Sequence, residues 1–489
     1  MTRSKHHLLE KLLYDPIQLI VGVPLAVPFG IHLGTQGVSQ NTEGIPENYK
    51  HGVSTIDKNT PTQKSDVHST YDVAKRIVEV LRQAGEEAYF AGGWVRDHLL
   101  GIPASDIDIA TSATTERVSS LFEKVVLLGE AFGVCVVVMD EQSFEVTTFR
   151  CDGDYQDGRH PSLVRRGTLQ EDAERRDFTV NGLFFDPIDE RVIDYVGGKE
   201  DLEKRLLRAI GNPSERFAED RLRILRAVRF KVRYQLQFDP ETEGAMQKFP
   251  ILPHVSIERI VDELRKMNPF LHQAMPWLNP IMKHLIPSFD VELANRVDDA
   301  FPLPLKLLAG MRKSDVSEQR SVFGSLKMSG AECSFIDLLE RMEQFYEDLV
   351  REGNPSPYQA ESADEPKGAS GGGCHGACRG ERIATWVRLW SEPFAEECFF
   401  VYCLCRGKED AAGLRRWQKQ WLRRYGEALS FYREKGPVLQ GRDLMSFMAP
   451  GPAVGHWLKR AFTLSVQEGL FSKEALLRRL KGEEGWPGE

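Results

Sequence analysis

Gly92-Gly93-Trp94-Val95-Arg96-Asp97, followed by Asp106-Ile107-Asp108, is the stretch on which the reading of the fold turns. Ala88–Ala91 before it and Ile107–Thr111 within it read as short β-strands, with a helix over Val95–Leu100 between them. A Gly-Gly turn between strand and helix lets the backbone come close to an anionic group, and the following helix N-terminus favours negative charge. Asp106 and Asp108 are two apart on a strand, so they share a face, while Ile107 between them points into the core. Two carboxylates so placed can hold two divalent metals, one to activate an attacking hydroxyl and one to stabilise a leaving phosphate. Arg96, near the start of the helix, is placed to contact phosphates or a sugar. Taken alone, the Asp-Ile-Asp pair also reads as a solvent-facing polar edge strand.

Working outward, Tyr71–Ala84 has a helical stripe of Val73, Ile77, Val80 and Leu81. Val134–Met139 and Phe144–Phe149 read as further strands, and Thr115–Phe122 as a helix. The strands stop after about Asp201. From Asp201 to Leu349, and again from Glu381 to Leu480, the pattern is helical. The fold class expected is therefore α+β: a small mixed sheet with helices, followed by an all-helical remainder. Residues 1–65 lack sustained periodicity and read as a loose extension. Its apolar run Pro16–Gly34 contains three prolines and is barely long enough to span a bilayer. Gly353–Gly380 is rich in Gly, Ser, Pro and Glu and reads as a flexible insertion.

The chain has 63 Lys and Arg against 72 Asp and Glu, a net charge of −9. That excludes a simple basic coat protein gripping nucleic acid by overall charge. The eight cysteines are too scattered for a disulfide framework, and a reduced, cytoplasmic setting is expected. Cys135, Cys151, Cys333, Cys398, Cys403 and Cys405 read as small core residues. Cys374-His375 and Cys378 could form half of a zinc site, but no second pair stands at metal spacing.

The next cluster is Glu174-Arg175-Arg176-Asp177-Phe178-Thr179-Val180-Asn181-Gly182-Leu183, then Asp194 to Leu202, then Arg216 to Phe230. In the last segment Leu222, Leu225, Val228 and Val232 form one helical stripe. Asp220, Arg223, Arg226, Arg229 and Arg233 form another. Arginines three or four apart on one helix repel one another unless anions pair with them, which points to a phosphate-facing groove.

These segments resemble the ordered motifs of the class II tRNA nucleotidyltransferase and bacterial poly(A) polymerase family, within the polymerase-β-like nucleotidyltransferases. Gly92–Asp108 resembles the metal motif, Arg175–Leu183 the ribose-selecting motif and Asp194–Leu202 the hinge motif. Glu219–Arg223 resembles the Glu-Asp-x-x-Arg protein template, and Ser256–Leu264 the start of the helical body. The resemblance implies a nucleotidyltransferase head (66–200), a helical neck with the base template (201–255), a helical body (256–352) and, beyond the insertion (353–380), a body and tail that bind tRNA (381–489). It implies Mg2+ on Asp106 and Asp108, with Glu145 a weaker candidate for a third carboxylate. Gly93, Arg96 and Arg176 would hold the triphosphate. Asp177 and Asn181 would contact the ribose or order the site, and Asp220 and Arg223 would read the base. Arg226 and Arg229 would continue toward the phosphates. CTP and ATP both present an amino donor beside a ring-nitrogen acceptor, which suits a carboxylate and a guanidinium together. Trp94 and Gly182 depart from the family pattern, and Trp94 is expected to narrow the pocket. Arg150–Pro161 resembles the family's flexible loop.

The activity implied is addition of CCA to the 3′ end of tRNA from CTP and ATP, with no membrane partner. Poly(A) synthesis, or partial CC or A addition, shares the catalytic motifs. Gly441-Arg-Asp443-Leu444 and Pro450 to Gly455 resemble the tRNA-embracing region of CCA-adding enzymes, and the basic C-terminal tract of poly(A) polymerases is missing. A catalytically dead RNA-binding protein is the non-enzymatic alternative, against which the intact Asp106, Asp108, Asp220 and Arg223 argue. Residues 201–235 and 406–435 each carry +5, leaving −19 for the rest. Positive charge is thus concentrated where a nucleotide and an acceptor stem would lie, and Trp417, Trp421, Tyr425 and Tyr432 read as core.

Overall fold

The computed structural model describes residues 69–104, 106–129, 133–152, 164–351, 374–404 and 408–487. The chain divides into two units, Met1–Asp66 and Val67–Glu489, and all described residues lie in the second. The expected extension with its Pro16–Gly34 run therefore falls outside the described residues. So do most of the loop Arg150–Pro161 and the side chains of Cys374, His375 and Cys378.

Helix α1 (Thr70–Gln83) starts where the Ser69 side chain accepts the Asp72 amide, and it buries Val73, Ile77 and Leu81. Next come β1 (Ala88–Ala91), α2 (Gly93–Leu99), β2 (Asp108–Thr111), α3 (Thr115–Leu121), β3 (Val125–Gly129), β4 (Val134–Met139) and β5 (Gln142–Thr148). They are followed by β6 (Arg150–Asp152), β7 (Val164–Arg166), α4 (Leu169–Glu174), β8 (Leu183–Asp186) and β9 (Arg191–Asp194). Strands β3-β4-β5-β2-β1-β8-β9 form one seven-stranded sheet. Only the β2–β5 pair in it is parallel. Phe90, Ile109, Val146 and Cys135 align across β1, β2, β5 and β4 and face the core shared with α1. The opposite face is covered over β1, β2 and β8 by Leu169 and Ala173 of α4. The end of that face near Asp108 and Glu145 is left open.

The sheet is larger than the sequence pattern indicates. β3, β8 and β9 join it, and β8 (Leu-Phe-Phe-Asp) is buried throughout, so it shows no alternation.

The strands also do not stop at Asp201. After α5 (Gly198–Glu203), β10 (Leu206–Leu207) pairs in parallel with β11 (Gln237–Phe238), beyond α6 (Pro213–Glu219) and α7 (Leu222–Tyr234). Two-residue strands carry no readable period. The same segment continues into the head: Thr179 N donates to Arg208 O at 3.0 Å, and Ile210 N donates to Asp177 O at 3.1 Å. Residues 205–210 are thus bonded on one side to the Asp177–Thr179 turn and on the other to the strand leaving α7. At the start of α5, Asp194 Oδ1 accepts the amides of Val196, Gly197 and Gly198, and Oδ2 that of Lys199. A Cβ on Gly198 would lie 2.0 Å from Thr179 O, so only glycine fits there.

The remainder is helical: α8 (Pro240–Gln247), α9 (Ile257–Met267), α10 (Leu271–Leu285), α11 (Val291–Ala294), α12 (Leu303–Gly310), α13 (Val316–Ser325) and α14 (Gly330–Arg351). Then follow α15 (Cys374–Ser391), α16 (Ala395–Cys403), α17 (Lys408–Lys435), α18 (Gly441–Leu444), α19 (Pro452–Glu468) and α20 (Lys473–Lys481). Helix α15 begins inside the segment 353–380 that was expected to be a flexible insertion. Trp421 and Tyr425 of α17 pack with Trp386 of α15, Trp417 packs on Trp421 and on Tyr346 of α14, and Tyr432 is buried against Phe462, so Tyr432 is core and the other three are half-buried against it. Cys135, Cys398 and Cys403 are buried, and burial pushes the Cys135 thiol up to about 11 and the Cys398 thiol up to about 12. Cys151 and Cys333 are half-buried, and Cys405 lies outside the described residues. Among the described residues, no helix is long and apolar enough to cross a membrane.

Candidate active site

The Gly92-Gly93 turn joins β1 to α2. Gly92 sits at φ +63°, and a Cβ there would come 2.7 Å from Arg176 Nη1. The turn is therefore shaped around the Arg176 guanidinium, and glycine supplies both the left-handed backbone and the room. Trp94 does not narrow a pocket, as its position after the glycines suggests. It is 6% exposed, packs edge-on against Phe90 in the core and stacks on His98 at 4.7 Å. Its side chain leaves on the core side of the short helix.

Asp106 and Asp108 are exposed and Ile107 between them is buried, but the strand begins at Asp108, so Asp106 and Ile107 lie in the segment leading into it and not on it. Ile109 pairs with Val146, which places Asp108 beside Glu145 on the neighbouring strand. The Asp108 carboxyl is pushed up to about 6 by burial, then by Glu145 and Asp106, with Arg176 opposing. Because the residue remains open to solvent, the facing carboxylates are the part of this shift that a cation would remove. Among the described residues no three acidic, His or Cys side chains converge. Glu145 stands beside the pair and acts on Asp108 through its charge.

Arg176 follows α4, where Asp172 is buried and holds Arg175 and Arg176 together. Arg176 Nη2 donates to Asp172 Oδ2 at 3.0 Å, and Arg175 Nη2 to Asp172 Oδ1 at 2.8 Å. Arg176 Nη1 also donates to Asn181 O at 3.3 Å. Arg96 is buried beneath Gly93. It donates to Asp97, to Asn181 Oδ1 and to the Tyr234 hydroxyl of α7. Asn181 Nδ2 donates to Asp177 Oδ1 at 3.0 Å, and Arg226 Nε donates to Asp177 Oδ2 at 2.7 Å. Burial raises the Asp177 carboxyl, but Arg226 and the hydrogen bonds from Asn181 and Phe178 N outweigh it and bring it down to about 2. A Cβ on Gly182 would lie 2.7 Å from Val196 Cγ2, so this chain has no room for an alanine at that departure.

The arginine ladder is not the free cationic face that its spacing suggests. Asp220 is not on the same helix as Arg223. It closes α6 in an extended conformation, and α7 begins at Leu222. Asp220, Arg223, Arg226 and Arg229 are each paired within the protein, whereas Arg233 is exposed and lies over the Tyr234 ring. Arg259 Nη2 donates to Asp220 Oδ2 at 2.8 Å, Arg223 Nη1 donates to Glu219 Oε2 at 2.7 Å, and Arg229 Nε donates to Glu263 Oε2 at 2.7 Å. Intramolecular carboxylates therefore relieve the repulsion. Arg223 and Arg229 are buried, while Asp220 and Arg226 keep partial access.

Residue spacing alone left several of these partners unassigned. Arg259 and Glu263 lie in Ser256–Leu264, four apart on α9, and both grip the neck. Their i,i+4 spacing was the available signal. Arg216 ties the base side to the phosphate side: Nη2 donates to Arg175 O and Arg176 O, and Nη1 donates to Glu219 Oε2, which also holds Arg223. No local pattern marks that long-range link.

The arrangement places a carboxylate pair and an arginine at the open sheet end, an Asp–Asn pair behind it, and an Asp and an Arg at the α6–α7 junction. A poly(A) polymerase head domain model matches residues 88–208. The CCA-adding enzyme of Geobacillus stearothermophilus is 44% identical over 212 residues, 42% of this chain and 52% of that protein. The CCA-adding enzyme of Bacillus subtilis (strain 168) is 42% identical over 193 residues, 39% of this chain and 48% of that protein. The match thus spans about half the length of these curated relatives. The crystal structure of the Bacillus stearothermophilus CCA-adding enzyme in complex with CTP superposes with a TM-score of 0.57 at 25% identity, over 85% of this chain and 98% of that one. The Thermotoga maritima CCA-adding enzyme complexed with tRNA shares the fold, with a TM-score of 0.52 at 17% identity, over 84% of this chain and 94% of that one. Residues 88–208 thus match a poly(A) polymerase head domain.

Proposed function

We propose that this chain adds CCA to the 3′ end of tRNA from CTP and ATP, without a nucleic-acid template. One observation carries the reading: Arg216 binds the Arg175-Arg176 backbone and Glu219, so the residues suited to phosphate and those suited to a base share one framework. In that framework Arg176, with the backbone of Gly93, holds the triphosphate. Arg96 is buried, so it acts on the triphosphate through the turn it supports. Asp177 and Asn181 face the ribose. Asp220 accepts from the exocyclic amino group shared by cytosine and adenine, and Arg223, as buried as Arg96 and paired with Glu219, supports the junction at which the ring nitrogen is read. UTP and GTP present a carbonyl to the carboxylate instead, a mismatch that costs ~1–3 kcal/mol. Arg226 acts through Asp177, and Arg229, being buried, supports the neck helix from behind.

The donor set fits divalent magnesium. Asp106 and Asp108 offer oxygen ligands, and the crowding that raises Asp108 is what a cation relieves. When bound, the metal would lower the pKa of the attacking 3′-hydroxyl and stabilise the departing pyrophosphate.

The test is incubation with tRNA lacking its 3′ end, with CTP and ATP supplied separately and together. Growth that stops after three nucleotides supports the proposal. Long tails from ATP alone would replace it with poly(A) synthesis, and no incorporation would remove the enzymatic reading.

A further inference from the structure

A continuous line of polar side chains crosses from the head through the neck into the body. Arg96 donates to the Tyr234 hydroxyl and to Asn181, Asn181 donates to Asp177, and Arg226 donates to the other Asp177 oxygen. Beyond it, Arg226 Nη1 lies 3.9 Å from Glu263 Oε1, and Glu263 Oε2 accepts from Arg229. The Asp177 and Glu263 side chains are 9% and 3% exposed. Glu263 stands on α9, an element that contributes nothing to the open sheet end. Among the described residues, only Lys266, at 3.8 Å and itself paired with Asp262, adds a further charge to it.

Two positive and two negative groups alternate here in a poorly solvated space. Arg226 and Arg229 are three apart on α7 and would repel each other without the carboxylate between them. Glu263 therefore does more than neutralise Arg229. It fixes where Arg226 rests, and Arg226 is the ionic partner that orients Asp177.

We propose that Glu263 is a positioning residue for sugar recognition, holding Arg226 against Asp177 so that the Asp177–Asn181 pair is set for a ribose. This rests on the proposed nucleotidyl transfer. The purely structural alternative is that Glu263 only keeps the neck and body packed. That role would lower stability, and with it the rate for every nucleotide equally. The two differ in one quantity, the preference for a ribonucleotide over its 2′-deoxy counterpart.

The experiment measures kcat/KM for CTP and 2′-deoxy-CTP in single additions to tRNA lacking its 3′ end, using the full chain. Glu263→Gln keeps the shape and removes the charge. Its expected result is a fall of roughly tenfold in the CTP to deoxy-CTP ratio, the size of one coupling in a shared network. Glu263→Asp keeps the charge, and with it the fold, but withdraws the carboxylate by one methylene. It is expected to give a smaller fall in the same direction, and it decides the matter if Glu263→Gln does not fold. Glu332→Gln breaks the Arg265–Glu332 pair on the far side of α9 and is expected to leave the ratio unchanged. A ratio unaltered in the folded Glu263 variants, whatever their overall rate, overturns the proposal. A wild-type chain that incorporates neither nucleotide instead overturns the nucleotidyl-transfer reading beneath it.

Discussion

Arg259→Ala tests whether the base reader is aimed by the body. In the structure Asp220 Oδ2 and Oδ1 lie 2.8 and 3.4 Å from the two terminal nitrogens of Arg259. The two side chains are 15% and 23% exposed, so solvent screens the pair only in part. A charge-assisted bond of this kind contributes ~1.5–3 kcal/mol. Among the described residues, the other hydrogen bond to the Asp220 side chain comes from the Leu222 amide, at 3.0 Å from Oδ1. With Arg259 gone the carboxylate rotates about that single bond, and its alignment with an amino group is lost for part of the time. If about half of the ~1–3 kcal/mol mismatch cost is lost with it, ~0.5–1.5 kcal/mol, the discrimination falls about two- to tenfold. The assay is kcat/KM for CTP and UTP in single-nucleotide addition. The expected result is a CTP to UTP ratio lowered about two- to tenfold, chiefly through CTP, with Arg259→Lys lowering it less. Equal losses for CTP and UTP would refute the reasoning, since Arg259 would then support the fold without aiming Asp220.

Asp106→Ala is expected to abolish nucleotide incorporation while tRNA binding, read by gel shift, persists; surviving incorporation would place the metal elsewhere. Asp177 is held at about 2 against an ordinary 3.8. The lowered value makes its contribution, on the order of 2 kcal/mol, present above about pH 4 and lost as pH falls through 2. Urea unfolding of wild type and Asp177→Asn should therefore differ most at pH 5–7 and converge toward pH 2, whereas a pH-independent gap would contradict the ion pair with Arg226. Gly198→Ala would press a Cβ into Thr179 O, and strain of ~1–3 kcal/mol or more should appear as a lowered melting temperature. An unchanged melting temperature would mean that the turn relaxes freely.

Much of the head was legible because its motifs combine local periods with special residues. The exposed Asp108 before the buried Ile109 follows from strand alternation, and the turn at Gly92 from the glycine pair. β8 escaped because a strand buried on both faces shows no alternation, and β10 and β11 because two residues show no period. The arginine ladder was legible as spacing but not as environment. Helical periodicity places Arg223, Arg226 and Arg229 along one stripe, yet it says nothing of Glu219, Asp177 and Glu263, which arrive from other elements. Asp220 was assigned to the wrong side of a helix break, because a step of three residues looks the same across a kink as within a helix. Trp94 was misplaced for a related reason: a residue next to a functional turn need not point toward it.

The seam at residues 205–210 sets the kinematics of the molecule. Its backbone is hydrogen-bonded to the Asp177–Thr179 turn on one side and to Gln237–Asp239 on the other, so sliding the neck past the head would break several backbone hydrogen bonds at once. Little hinge freedom remains along that line. A change from one base to another, of different size, has to be absorbed downstream of the seam, by rotation of the side chains at the α6–α7 junction. A cross-link across the seam should accordingly leave turnover intact, whereas one that locks α6 to α9 should stall the chain between one kind of nucleotide and the next.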